Sequence, residues 1–166
     1  MERNLFIFVW TNTNAMENIF DAKTAQNYID RINKLTPETQ RKWGKMSVDQ
    51  VLAHMNVAYS FIFEPEKQKK PNFLMKLMLQ NFVKKKVVSE EPYKKSMPTS
   101  PVFIIPNRRN FEEEKKKLIG NIQRVQQLGR EAFDGKVNTS FGAMTAQEWN
   151  NMLAKHLNHH LSQFGV

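Results

Sequence analysis

The sequence predicts an all-α protein, a four-helix bundle with a long crossover between the second and third principal helices. Apolar residues recur at intervals of three and four, as on one face of a helix. Several of these stretches begin with helix-capping residues, and no run alternates between apolar and polar residues as a strand does. The length of 166 residues suits one domain. We therefore expect one helical domain over residues 16–166.

Residues 1–15 are predicted to be a poorly specified N-terminal extension, because the capped and periodic pattern starts only at Met16. The apolar run at residues 5–10 is too short for a membrane span or an ordinary signal-peptide core. We expect a cytoplasmic protein with no membrane partner.

The first two helices are predicted from their spacing and caps. Residues 22–34 carry the spacing of an amphipathic helix, and Thr36-Pro37-Glu38 resembles a capped start that predicts a short helical turn. Ser47 and Gln50 form a capping box for the second helix, which the following Glu64-Pro65 should end near Phe63.

The second half of the chain contains the crossover and two more principal helices. Residues 71–86 are a further helical candidate with Phe73 and Phe82 at core-like spacing, and four prolines predict extended chain over residues 87–109. Asn110 should cap a helix that ends at Gly129 and has an apolar stripe from Phe111 to Leu128. Thr145 and Glu148 form the capping box of the last helix, which should reach about Phe164.

The histidines are the candidate metal ligands. The chain has no cysteine, which excludes disulfide scaffolds, thiolate zinc sites and cysteine nucleophiles. His156 and His160 lie one turn apart on the last helix, and His54 lies on the inward stripe of the second, whereas His159 points to another face. Three imidazoles suit zinc or nickel. Packing histidines with ordinary hydrogen bonds are the alternative explanation of the same pattern.

Four segments carry a family resemblance, namely residues 43–54, 95–101, 141–149 and 155–165. The first resembles the second helix of the DinB-like superfamily, and the other three resemble one bacterial branch of that superfamily, of undefined function. The resemblance covers residues 16–166 and implies a four-helix bundle of the DinB type. It also implies a metal ion held by three histidines, which map onto His54, His156 and His160. Asn138-Thr139-Ser140 depart from the branch, whose members often have a histidine shortly before the Phe-Gly pair.

Members of the wider superfamily include metal-dependent transferases and isomerases that use low-molecular-weight thiols, and by this analogy the resemblance implies a metal-dependent transferase. The thiol would take the open metal position as its thiolate, and the partner would be a small-molecule substrate. A hydrolase and a non-catalytic metal-containing binding or stress-response protein are the alternatives. Relatives often pair through bundle faces, which allows a homodimer, although the apolar stripes of this chain can all be used internally.

No catalytic residue is predicted. Asp49, Asn56, Tyr59 and Gln163 lie on the relevant helices, but each has a simpler structural role there. Asp49 suits a helix N-terminus, and Tyr59 and Gln163 suit the polar edge of a core.

The net charge of +9 raises the alternative of a basic interaction module with incidental histidines. A lysine-rich segment could attract nucleic acid, an anionic lipid surface or an acidic small molecule. We expect a solvated helix face instead, and no nucleic-acid partner, because no recognition-helix pattern follows. The lysines concerned are Lys67, Lys69, Lys70, Lys76, Lys84, Lys85 and Lys86.

Overall fold

The computed structural model describes residues 16–166 and is mostly helical, which confirms the all-α prediction. The predicted extension, residues 1–15, lies outside the described residues. The helices are α1 (Ala22–Asn33), α2 (Val48–Phe63), α3 (Phe73–Met78), α4 (Lys84–Val88), α5 (Phe111–Leu128) and α6 (Ala146–Gln163).

Shorter elements connect these helices. A π-helical segment, Leu79–Val83, joins α3 to α4, and 3-10 turns occupy Pro65–Lys67, Pro101–Phe103 and Arg130–Phe133. The strands β1 (Val137–Asn138) and β2 (Gly142–Ala143) form one antiparallel pair. None of the helices in the described part of the chain combines the length and the hydrophobicity needed to cross a bilayer.

The helix starts follow the capping residues. The backbone N–H of Ser47 donates to Gln50 Oε1 at 3.0 Å at the start of α2. Thr145 and Glu148 exchange two such bonds, of 2.9 and 3.2 Å, at the start of α6. Asn110 caps α5 by accepting from two backbone N–H groups. These bonds satisfy donors that a helix leaves unpaired in its first turn, which explains why the predicted starts are confirmed.

The four long helices, α1, α2, α5 and α6, share one apolar core. Trp149 lies fully buried within it and donates its indole N–H to the carbonyl of Lys136 at 3.2 Å. The buried residues of each helix recur at helical spacing and therefore lie on one face, which packs against the other helices. Fully buried members of this core include Tyr28, Ile32, Val51, Leu52, Met55, Leu118, Ile122, Val125 and Leu161.

Two local expectations were wrong. Thr36-Pro37-Glu38 forms an isolated turn and starts no helix, since the chain after it is irregular over residues 39–41. The turn is closed by the Thr39 N–H, which donates to the Thr36 carbonyl at 3.0 Å, and by the Thr39 hydroxyl, which accepts from the Thr36 N–H at 2.8 Å. Leu128 is half exposed, because it is the last residue of α5 and lies beyond Val125, the last buried residue of that helix.

The helical candidate at residues 71–86 is helical, but its apolar face is not in the core. Phe73 is 83% exposed and Phe82 is 76% exposed. The prediction from their spacing that these two residues lie in the core is therefore wrong. Periodicity shows only that apolar residues share a face, and here no element of the described chain covers that face.

Polar side chains of the core helices bind both ends of the crossover, the stretch of chain between α4 and α5. Buried Lys155 of α6 donates to the carbonyls of Lys86 and Ser89, at 2.8 and 2.5 Å. At the far end, the carboxylate of buried Asp49 accepts from Arg108 Nε at 2.9 Å and from the Arg109 N–H at 2.8 Å. The crossover is therefore held across α2 and α6, the two helices that carry the candidate histidines.

Candidate metal centre

Three imidazoles meet between α2 and α6. One ring nitrogen from each of His54, His156 and His160 lies within 4.8 Å of the others. His54 and His160 are buried, whereas His156 is half-buried. The structure therefore brings together the three histidines selected from the sequence, although they come from helices about a hundred residues apart in the chain.

The backbone of the crossover orients His54. Its Nδ1 lies 2.8 Å from the carbonyl oxygen of Phe103, in the 3-10 turn Pro101–Phe103. Because a carbonyl only accepts hydrogen bonds, Nδ1 must carry the proton. The lone pair of His54 is then on Nε2, the atom that faces the His156 ring.

Gln163 orients His160 in the same way. The His160 Nδ1 lies 2.9 Å from Gln163 Oε1, and Gln163 Nε2 donates to the carbonyl of Trp43 at 2.8 Å. The bond to Trp43 fixes which end of the carboxamide carries the oxygen, so His160 Nδ1 is the donor and Nε2 has the free lone pair. Partners of this kind usually fix the tautomer of metal-binding histidines.

His156 completes the cluster at close range. Its Nε2 lies 3.0 Å from His54 Nε2. Since two imidazole lone pairs repel, this distance requires either a proton or a cation between the nitrogens. In a tetrahedral zinc site, with Zn–N distances of 2.0–2.1 Å, ligand nitrogens lie about 3.3 Å apart. The spacing of this one pair is close to that value.

The electrostatics keep the rings neutral. Burial lowers the pKa of His54 and lowers that of His156 well below its ordinary value. Burial, together with the neighbouring His54, lowers the pKa of His160 to about 3. All three imidazoles are therefore neutral at pH 7, which is the form that binds metal ions.

The donor set fits a borderline transition metal. Within residues 16–166, the group of metal-ligating side chains found close together consists of imidazoles alone. Such a set suits zinc or nickel, whereas calcium and magnesium prefer several oxygen ligands. The residues present therefore fit the ion that the sequence analysis expects.

His159 lies outside the cluster, as its helical position predicts. Its ring packs edge-on against Trp43 and Tyr93, with centroids 6.2 and 5.7 Å away. These residues line a cleft of about 260 Å³, which Lys95 also borders. Because the His159 ring also contacts that of His160, with centroids 5.0 Å apart, the cleft lies beside the triad.

The other residues considered from the sequence have structural contacts. Asp49 holds the crossover, and Asn56 donates to the carbonyl of Glu114 at 3.0 Å, which joins α2 to α5. The hydroxyl of buried Tyr59 has no hydrogen-bond partner among the described residues, and burial raises its pKa. Asn138 accepts from the N–H groups of Ser140 and Phe141 and so shapes the turn between β1 and β2.

Sequence reasoning missed the positioning role of Gln163 and of the Phe103 carbonyl. The spacing of Gln163, three residues after His160, is a usable signal, because residues at that spacing are neighbours on a helix. The Phe103 carbonyl has no such signal, since it belongs to irregular backbone.

Comparison with known proteins gives one match. A family model described as "Protein of unknown function (DUF1569)" matches residues 15–165. No curated protein and no solved structure matches the chain.

Proposed function

The chain belongs to the DUF1569 family, and we propose that its His54, His156 and His160 hold one divalent metal ion, zinc or nickel. The observation that carries this proposal is the convergence of three ring nitrogens within 4.8 Å, two of them oriented by partners on their other nitrogen. A packing role accounts for one hydrogen bond between His54 and His156, but it does not account for the third ring nitrogen, from His160, at the same place.

The fold supports the resemblance on which this proposal also rests. The four longest helices share a core, and the crossover lies between the second and third of them, as in the bundle expected from the sequence. We therefore also propose that the fold of this chain is a four-helix bundle of the DinB type.

The function that we propose is metal-dependent transfer to or from a low-molecular-weight thiol. An ion held by three side chains keeps a coordination position open and supplies a Lewis acid and a template there. His159, whose ring contacts that of His160, lines the cleft beside the cluster, which gives a small molecule a route toward the proposed ion. The cleft beside His160 is large enough for part of a small molecule, and the rings of Trp43 and Tyr93 border it.

Metal binding is the first test. Untagged protein, stripped with a chelator and dialysed, should bind one zinc or nickel ion per chain in a calorimetric titration. Absence of binding by both metals would overturn the proposal.

Thiol chemistry is the second test. Cobalt(II)-loaded protein should gain a sulfur-to-cobalt charge-transfer absorption when small thiols are added one at a time, and the zinc form should consume an electrophile together with the same thiol. A charge-transfer band without turnover would replace the transferase by the non-catalytic alternative, a metal-containing binding protein. Metal binding without a band for any thiol would overturn the thiol part alone.

A further inference from the structure

The helical segment at residues 73–88 presents large apolar side chains to solvent. Phe73, Leu74 and Phe82 are 83%, 75% and 76% exposed. Leu77 and Met78 are about half exposed, and no residue of α3 is buried. A patch of this kind on a protein surface usually marks an interaction site. We call Phe73, Leu74, Leu77, Met78 and Phe82 the apolar face.

The apolar face lies on an ordered and well-anchored helix. Asn72 caps α3 by accepting from the Met75 N–H at 2.9 Å, and the π-helical segment continues the helix into α4. Lys155 and Asn151 of α6 then bind the carbonyls at the end of α4, with Asn151 donating to Val88 at 2.9 Å. The far end of the segment is therefore fixed to the core while the apolar face points outward.

Lysines flank the apolar face along the sequence. No acidic residue occurs between Glu66 and Glu90, whereas seven lysines do. Ion pairs in the described chain engage two of them, Lys67 with Glu64 at 3.3 Å and Lys84 with Glu148 at 2.9 Å. The remaining lysines that flank the face are Lys69, Lys70, Lys76, Lys85 and Lys86.

The exposed aromatic side chains go against the expectation of a simple solvated face with no membrane partner, and we propose that the apolar face docks on the surface of an anionic lipid bilayer. Phenylalanine, leucine and methionine side chains would enter the boundary between headgroups and acyl chains, while the lysines contact anionic headgroups. Charge favours this occupant over a second copy of the chain, since pairing two such faces would bring like-charged lysines together. The docking is peripheral and does not involve the metal centre.

The test is flotation with vesicles. The protein should float with vesicles of phosphatidylcholine and phosphatidylglycerol and remain behind with phosphatidylcholine alone. The double variant Phe73→Ser/Phe82→Ser should lower the partition coefficient about tenfold or more, and Lys69→Gln/Lys70→Gln/Lys76→Gln should do the same. Both variants should melt like the wild type, because the altered side chains are exposed.

Matched controls are available elsewhere on the surface. Val137→Ser removes an apolar side chain that is 65% exposed, and Lys116→Gln/Lys117→Gln removes two exposed charges of α5. Both controls should float like the wild type.

Three results would overturn the proposal. One is wild-type protein that does not float with anionic vesicles, and another is equal flotation of the Phe73→Ser/Phe82→Ser variant. The third is a wild-type dimer, seen without lipid by sedimentation velocity, that this variant converts to a monomer while no vesicle binding occurs. That result would assign the face to a second copy of the chain.

Discussion

Gln163 Oε1 accepts the Nδ1 proton of His160 at 2.9 Å, while the amide of the same side chain donates to the carbonyl of Trp43 at 2.8 Å. The carboxamide thus links the loop before α2 to a candidate metal ligand near the end of α6. Because both ends of the amide are engaged, it holds the imidazole in one tautomer and one orientation.

Gln163→Leu should weaken metal binding about 10- to 100-fold, which is the usual cost of losing the partner of a metal-binding histidine. The affinity is measured by competition with a chromophoric chelator. Gln127→Leu, at an exposed position of α5, is the control and should leave the affinity unchanged. A Gln163→Leu protein that binds metal as tightly as the wild type would show that the bond does not position His160.

Gly44→Ala should lower the free energy of unfolding by about 1–3 kcal/mol. Gly44 has a φ of +80°, and a Cβ there would clash with Gln163 Nε2. Gly120→Ala is the matched control, because nothing lies within 4 Å of an added Cβ and the residue is inside α5. It should raise stability by about 0.5–1 kcal/mol. Urea unfolding of both variants measures the difference, and equal stability of the two would contradict the account of Gly44.

Asp49→Asn should destabilise the protein at pH 7 by about 1–3 kcal/mol. Burial by itself would raise the pKa of Asp49, but hydrogen bonds, led by that from the Arg109 N–H, outweigh it and lower the pKa below 3.8. The charged carboxylate therefore stabilises the fold above the unfolded pKa, and this contribution is lost as the pH falls below about 4. Urea unfolding should show a lower free energy of unfolding for the variant than for the wild type at pH 7, and a smaller difference between the two at pH 3. A difference in the free energy of unfolding that is the same at both pH values would contradict this role.

Zinc should raise the melting temperature of the protein. A ligand at 100 times its dissociation constant stabilises the folded state by about 2.7 kcal/mol, which corresponds to about 5–10 °C for a chain of this size. A chelator should reverse the shift, and His54→Ala should abolish it. An equal shift in that variant would place the stabilising ion elsewhere.

The helix starts and the shared face of His156 and His160 were predictable because both depend on local sequence. Ser47 and Thr145 mark helix starts by residue type, and His156 and His160 share a face whatever the rest of the chain does. The inward stripe of α2 then placed His54 opposite them.

The contacts of the crossover were not predictable in this way. The spacing of Phe73 and Phe82 indicates a shared face, but whether another element covers a face depends on the packing of the whole chain. The Phe103 carbonyl contacts His54 in a crossover that Asp49 and Lys155 bind at its two ends, and those bonds join residues far apart in sequence.

Metal content of four single variants, measured by mass spectrometry on untagged protein after equilibration with one equivalent of zinc, tests the central claim most directly. His54→Ala, His156→Ala and His160→Ala should each lose most of the metal, because two imidazoles hold an ion much less tightly than three. His159→Ala should keep it, since its ring lies against Trp43 and Tyr93. Equal zinc in the wild type and the three triad variants, or loss in His159→Ala alone, would contradict the proposed centre.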